Sequence, residues 1–265
     1  MRKCKFCKNP AGSREHTIAD WILQKINIQA EIRRVVGKSP PVWFHNVQNL
    51  KVKSVCTTCN NGWMSQLESD SKPTIERLLR GSGIFRLHAA QQSIVARWAV
   101  KTAMVFETTA PPPPKSQGHF YTQDECEQLR LNSTIPPRTF VWLGQFSAVG
   151  LWASGTHIWH NEEQISETAT HGQVVTIVLD HLAIQVLTVH VLAENSTVSP
   201  NIPQYEAPCD WSDLTVPICQ LPGAFRGRLL EVSAQVRTRL SPLDFLLEDL
   251  RREENFKVTI TPKFS

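Results

Sequence analysis

Two Cys-x-x-Cys pairs near the start of the sequence constrain this chain more than any other feature. The first pair is Cys4 and Cys7, and the second is Cys56 and Cys59. Together they supply the four soft ligands that a tetrahedral zinc ion prefers. The chain has seven cysteines, and an odd number favours metal binding or free thiols over a set of disulfides. We therefore predict one structural zinc site that joins the two pairs, with an insertion between them.

The insertion contains SREHTIADWI, in which an acid and an imidazole are neighbours, Glu15 and His16. Neighbouring side chains on a strand point to opposite faces. One of them could bind a metal ion while the other acts on a water molecule, provided that the backbone bends. A Glu-His pair is common by chance, but here it accompanies two cysteine pairs and Asn60, which directly follows the second pair. These three residues are therefore candidates for chemistry.

Positive charge is concentrated in the same part of the chain. Residues 1–80 contain fourteen Lys plus Arg and six Asp plus Glu, a net charge of +8, whereas the remainder has fourteen and eighteen, a net charge of −4. A basic region attracts polyanions such as nucleic acid. A basic surface that only improves solubility is the alternative interpretation.

The segments CKFC, REHTIADW and NLKVKSVCTTCNNGWMSQLE, within residues 4–68, resemble an HNH endonuclease of the His-Me finger (ββα-metal) superfamily, in its zinc-stabilised branch. The resemblance implies a β-hairpin and a helix around one divalent ion, and cleavage of phosphodiester bonds of DNA. It implies that His16 is the general base, that Glu15 is a metal ligand and that Asn60 is the second ligand. The four cysteines would hold the structural zinc.

Those roles suit phosphodiester hydrolysis. A neutral imidazole, with a reference pKa of about 6.5, can accept a proton from water near physiological pH. A hard cation on carboxylate and amide oxygens would stabilise the phosphate and the leaving group, which indicates Mg²⁺ or Mn²⁺ rather than a second zinc.

The sequence departs from the family pattern at several positions. Ala19 stands where the family usually has proline, and Lys51 stands where an asparagine that orients the base is expected, with Asn46 and Asn49 nearby but out of step. Asn61 is a rival to Asn60, and only one of two successive helical residues can face the metal.

The rest of the chain predicts an α+β fold. A long helix fits QQSIVARWAVKTAMVFE, a short helix follows an N-cap-like Thr122, and segments rich in β-branched and aromatic residues follow residue 137. A last helix is predicted over SPLDFLLEDLRREE. The short segment SDSKP, Ser69 to Pro73, and a glycine pair near residue 82 bracket a helical pattern, so we predict a nuclease domain at 1–80 and a second, α+β domain at 84–265.

Some side chains have simpler interpretations. Trp63, Met64 and Leu67 are expected on the buried face of the helix after the second cysteine pair, and Glu68 is expected to face solvent. Cys126 is expected to be a small buried hydrophobe.

Two functions from different classes follow. The first is a metal-dependent endonuclease acting on DNA, in which the second domain provides specificity, oligomerisation, or control by a ligand or partner, as in host defence against phage. The second is a non-catalytic zinc module that binds nucleic acid or protein. The chain has no run of about twenty apolar residues, and its basic start leads into no apolar segment, so we expect no membrane partner and a cytoplasmic location.

Overall fold

The computed structural model describes residues 2–26, 30–36, 42–44, 51–80, 85–109, 119–146, 151–159, 171–190, 216–217, 225–227, 231–232 and 255–262. These ranges combine helices with sheets, which confirms the α+β fold class. Within them, no helix is both long and apolar enough to cross a lipid bilayer.

A small antiparallel pair of strands carries the acid and imidazole of the insertion. Strand β1, Ser13–His16, pairs with β4, Lys51–Val55. The register shifts between Ser13 and Glu15, so the backbone bends there. Between the two strands the chain forms helix α1, Asp20–Ile26, and strands β2, Ala30–Val36, and β3, Val42–Phe44.

Helical structure begins directly at the second cysteine pair. A short turn, α2, Thr57–Cys59, leads through a wide π-helical turn, Asn60–Met64, into helix α3, Ser65–Leu79. The sequence bracketed a helical pattern that starts after Ser69 to Pro73, and this start is wrong, because α3 begins at Ser65 and continues through Pro73. A proline removes one N–H from the helix, but the buried side chains Ile75, Leu78 and Leu79 anchor the following turn to the core.

The two predicted helices in the middle of the chain are confirmed. Helix α4, Ala89–Phe106, packs against α3, and all of its residues from Trp98 onward are buried. The sequence predicted one apolar face, whereas the second half of α4 is enclosed on all sides. Helix α5, Gln123–Asn132, begins with the capping box of Thr122 and Glu125 that its sequence predicted.

The predicted strands form the main sheet. The central strands are β6, Thr139–Phe146; β7, Leu151–Trp159; β8, His171–Leu179; and β9, Leu182–His190. Three further strands join this sheet: β10, Val216–Pro217; β12, Glu231–Val232; and β13, Asn255–Pro262. Within the described residues the sheet has nine strands, in the order β10-β6-β9-β8-β7-β13-β2-β3 with β12 beside β6. Strand β5, Phe85–Leu87, pairs separately with β11, Phe225–Gly227.

The core and the main sheet both connect the early and late parts of the chain. Strand β2, from the insertion between the cysteine pairs, pairs with β13 near the C-terminus. Buried side chains of α1, α3, α4 and the main sheet belong to one cluster. The division at residues 80–84 stays a prediction, and the predicted helix at 241–254 lies outside the described residues.

Candidate functional site

The two cysteine pairs meet, as the sequence predicted. Their four Sγ atoms lie within 4.8 Å of one another, and all four residues are buried. The Sγ of Cys7 is 3.6 Å from the Sγ atoms of both Cys56 and Cys59. Four thiolates at a tetrahedral Zn–S distance of about 2.3 Å would be about 3.8 Å apart. The cluster therefore has the composition and spacing of a closed structural zinc site.

Backbone hydrogen bonds shape both cysteine loops. The Cys4 N–H donates to the carbonyl of Asn9 over 2.8 Å, and the Cys59 N–H points at the Cys56 Sγ over 3.4 Å. Burial raises the pKa of the Cys4 and Cys59 thiols. Burial also acts on Cys56, but hydrogen bonds from Cys59 and from the neighbouring thiols lower the pKa of this thiol to about 7. Because zinc binds thiolates, metal binding would release protons from this cluster.

The carboxylate of Glu15 faces the interior. Glu15 is 5% exposed, and its Oε1 lies 3.7 Å from the Nζ of Lys101 on α4. Burial raises the pKa of Glu15, while the Lys101 ammonium opposes that rise. Glu15 is thus a buried, paired carboxylate on the inner face of the strand.

The His16 side chain, 23% exposed, lies on the opposite face of the same strand. It pairs in register with Lys51, and the exposed side chains Arg14, Lys51 and Lys53 belong to the same small sheet. Burial lowers the pKa of His16, and the positive charge of Lys51 lowers it further, which favours the neutral imidazole. Its Nε2 makes no hydrogen bond to any described residue and lies 3.7 Å from the Oδ1 of Asp20. The lowered pKa suits a general base, and Nε2 is an unbonded ring nitrogen that is itself shielded from solvent.

Asn60 reaches the strand that carries Glu15 and His16. Its Nδ2 donates to the Ser13 Oγ over 2.6 Å, and Ser13 begins β1. Asn61 is exposed. Of the two asparagines, Asn60 is the one that bonds to this strand, at Ser13.

Glu68 was expected to face solvent, and this expectation is wrong. Its side chain is only 22% exposed, and its Oε1 accepts a hydrogen bond from the Lys101 Nζ over 2.8 Å. Glu68 also influences its neighbours, because its negative charge raises the pKa of both Glu15 and His16. The expectation that Met64 and Leu67 are buried is confirmed, and Trp63 is half-buried against the core.

Sequence reasoning missed Lys101. The available signal was a lysine inside the apolar run AVKTAMVF, since charged side chains are almost never fully buried unless they are paired. Its partners could not be identified from the sequence, because they lie 33 and 86 positions earlier in the chain.

Asn60 donates through Nδ2, so its amide oxygen remains an acceptor. Glu15 uses Oε1 in its ion pair with Lys101. A divalent ion on these two residues stays a prediction.

A second buried ion pair connects the first cysteine loop to the end of α4. Lys5 pairs with Glu107, and the Lys5 Nζ also donates to the carbonyl of Tyr121 over 2.8 Å. The other carboxylate oxygen of Glu107 accepts the N–H of Phe120 over 3.0 Å. Burial raises the pKa of Glu107, and Lys5 opposes that rise.

No family model matches this chain, and comparison with curated proteins and with solved structures finds no match. Inferences about function therefore depend on the residues and their geometry.

Proposed function

We propose that this protein is an endonuclease that hydrolyses phosphodiester bonds of DNA, with the His16 imidazole as general base. The observation that carries the proposal is the His16 Nε2, which is shielded from solvent, makes no hydrogen bond to a described residue, and belongs to a pair of strands that exposes Arg14, Lys51 and Lys53. Such an imidazole can accept a proton from a water molecule that attacks a bound phosphate.

The charges around His16 suit a polyanionic substrate. Arg14, Lys51 and Lys53 are exposed on β1 and β4. Lysine and arginine contacts to phosphates provide most of the sequence-independent affinity for DNA. We therefore place the sugar-phosphate backbone across this face, where His16 can reach a water molecule beside a phosphate.

The two kinds of metal would have separate roles. A zinc ion on the four cysteines would stabilise the fold only, because four protein ligands leave no open position for water. The divalent ion expected on Glu15 and Asn60, Mg²⁺ or Mn²⁺, would neutralise charge on the phosphate and the leaving oxygen. This role requires the Glu15 carboxylate to turn from Lys101 toward the face that carries His16.

Plasmid cleavage tests the proposal. Supercoiled DNA is incubated with wild type, His16→Ala and the matched control His181→Ala, in EDTA, Mg²⁺ or Mn²⁺. His181 is at the turn between β8 and β9, far from β1 in the sequence. We expect His16→Ala to lose activity by roughly 10²–10⁴-fold, the usual contribution of a general base, and His181→Ala to cleave normally. Unchanged cleavage by a folded, zinc-loaded His16→Ala protein would contradict the assignment.

One observation favours the alternative, a non-catalytic zinc module that binds nucleic acid or protein. Glu15 is buried in an ion pair, as a purely structural carboxylate would be. If wild type binds duplex DNA with a steep salt dependence but cuts it under none of the metal conditions, this alternative is preferred. The specificity, oligomerisation or regulatory role of residues 84–265, and a role in phage defence, stay predictions.

A further inference from the structure

Lys101 is a buried cation between two carboxylates. Its side chain is 2% exposed, its Nζ is 2.8 Å from the Glu68 Oε1 and 3.7 Å from the Glu15 Oε1. The three residues come from three elements, β1, α3 and α4. We call Glu15, Glu68 and Lys101 the acid-lysine cluster.

Burial makes the members of this cluster depend on one another. Removing an ammonium or a carboxylate from water is costly unless a partner of opposite charge is close. Residues Trp98 to Phe106 of α4 are all buried and apolar except Lys101 and Thr102, and the Thr102 hydroxyl bonds to its own helix, at the carbonyl of Trp98. Lys101 is therefore the only charged group that this buried stretch of α4 directs at β1.

The position of the cluster distinguishes it from the other buried ion pair. Lys5 and Glu107 lie at the first cysteine loop, where their neighbours are backbone groups of Phe120 and Tyr121. Glu15, in contrast, directly precedes His16, and Glu68 is close enough to influence His16 electrostatically. The acid-lysine cluster therefore lies directly behind the residue to which we assign the proton transfer.

We propose that Lys101 is a positioning residue of the candidate active site, which holds the carboxylates of Glu15 and Glu68 in a fixed place behind His16. This inference rests on the proposed endonuclease function. It means that α4 completes the site, and that the segment expected to form a nuclease domain, residues 1–80, lacks a charge that the site requires.

The test compares full-length variants. Lys101→Ala removes the ammonium, and Lys72→Met, at an exposed lysine on α3, is the matched control. We expect Lys101→Ala to keep its zinc and to lose kcat by roughly 10–100-fold, the usual effect of removing an outer partner of an active-site group, with little change in KM for duplex DNA. Lys72→Met should cleave like wild type.

Chemical rescue separates positioning from packing. Ethylammonium can enter the space left by Lys101→Ala and supply the missing charge, so it should restore part of kcat. Tetraethylammonium is too large and should have no effect, and neither ion should accelerate wild type. Wild-type kcat in folded Lys101→Ala, or equal effects of both ions, would overturn the inference.

An unfolding measurement keeps this inference separate from the endonuclease proposal. Coupled residues give non-additive effects on stability, so Glu15→Gln and Lys101→Met together should lower the melting temperature by less than the sum of the single changes. Additive effects would overturn the cluster itself.

Wild type that fails to cleave DNA would overturn the proposed endonuclease function, and with it the role of Lys101 in catalysis. If Lys101→Ala does not fold, a triple variant takes its place: Glu15→Gln/Glu68→Gln/Lys101→Met. It removes every charge of the cluster and should fold. Its failure to fold would also overturn the inference.

Discussion

The cysteine cluster and the acid-lysine cluster are both buried, but their charges are balanced in different ways. The four thiols of the cysteine cluster lie close enough together to share one metal ion. Glu15 and Glu68 already face a cation, which belongs to the chain itself. A metal ion on the cysteine cluster would hold the two cysteine loops together. In the acid-lysine cluster, the lysine suits carboxylates that must keep a fixed place. The cysteine cluster uses only the first sixty residues, whereas the acid-lysine cluster requires α4.

Removing one cysteine ligand should produce the largest effect on folding. Zinc binding contributes about 10–16 kcal/mol in small zinc domains, which is comparable with the whole stability of a typical protein, about 5–15 kcal/mol. We expect Cys59→Ala to lose zinc and to unfold cooperatively at a much lower temperature, measured by metal analysis and circular dichroism. Cys126→Ala is the control, because Cys126 is equally buried but outside the cluster. Equal zinc content in both variants would show that the cysteine cluster does not bind the metal.

Breaking the Lys5–Glu107 pair should have the next largest effect. Lys5→Met leaves the buried Glu107 carboxylate without its ammonium, and the loss of one partner of a buried ion pair costs about 3–5 kcal/mol. Denaturant unfolding of Lys5→Met and of Lys3→Met, at an exposed lysine, measures this cost. Lys5→Met/Glu107→Leu should recover much of the loss, because no charge is then left unpaired. If the double variant is no more stable than Lys5→Met, the pair is not what stabilises this contact.

A pH-dependent hydrogen bond between Glu125 and His190 should give the smallest effect. Burial alone would raise the pKa of Glu125, but the hydrogen bond from His190 and those from Thr122 lower it overall. A carboxyl whose pKa is lower in the folded protein stabilises the fold above its unfolded pKa of about 4.3 and loses this contribution as the pH falls through its folded value. We therefore expect Glu125→Gln to cost on the order of 1 kcal/mol near neutral pH and progressively less in acid.

Thermal unfolding of Glu125→Gln across pH 3 to 7 measures this dependence. Glutamine can still complete the capping box of α5, so the helix start is preserved. Glu127→Gln, on the same helix and bonded to Gln123, is the control without a histidine. A stability difference that stays constant over the pH range would exclude ionisation of Glu125 as its cause.

Local patterns predicted much of the fold. The apolar run of α4, the N-cap of α5 and the β-branched segments that form the central strands were all evident in the sequence. The helix start that the sequence placed near Pro73 was wrong for a physical reason, since local breaker signals were outweighed by the burial of the side chains that follow.

Long-range partners were not predictable in the same way. Strand β2 pairs with β13, more than two hundred residues later, and no local pattern specifies that choice. The burial of Glu68 depends on its contact with Lys101, so the sequence of α3 alone gave the wrong environment.

The sequence by itself determined the candidate ligands and the candidate base, because cysteine spacing and the Glu-His pair are local properties. Only the tertiary structure decided that Glu15 faces inward to an ammonium while His16 lies on the other face of β1, beside exposed cations. The reason is that burial and charge pairing depend on elements that are distant in the sequence and meet only when the chain is folded. In this protein, α4 places Lys101 beside Glu15 and Glu68.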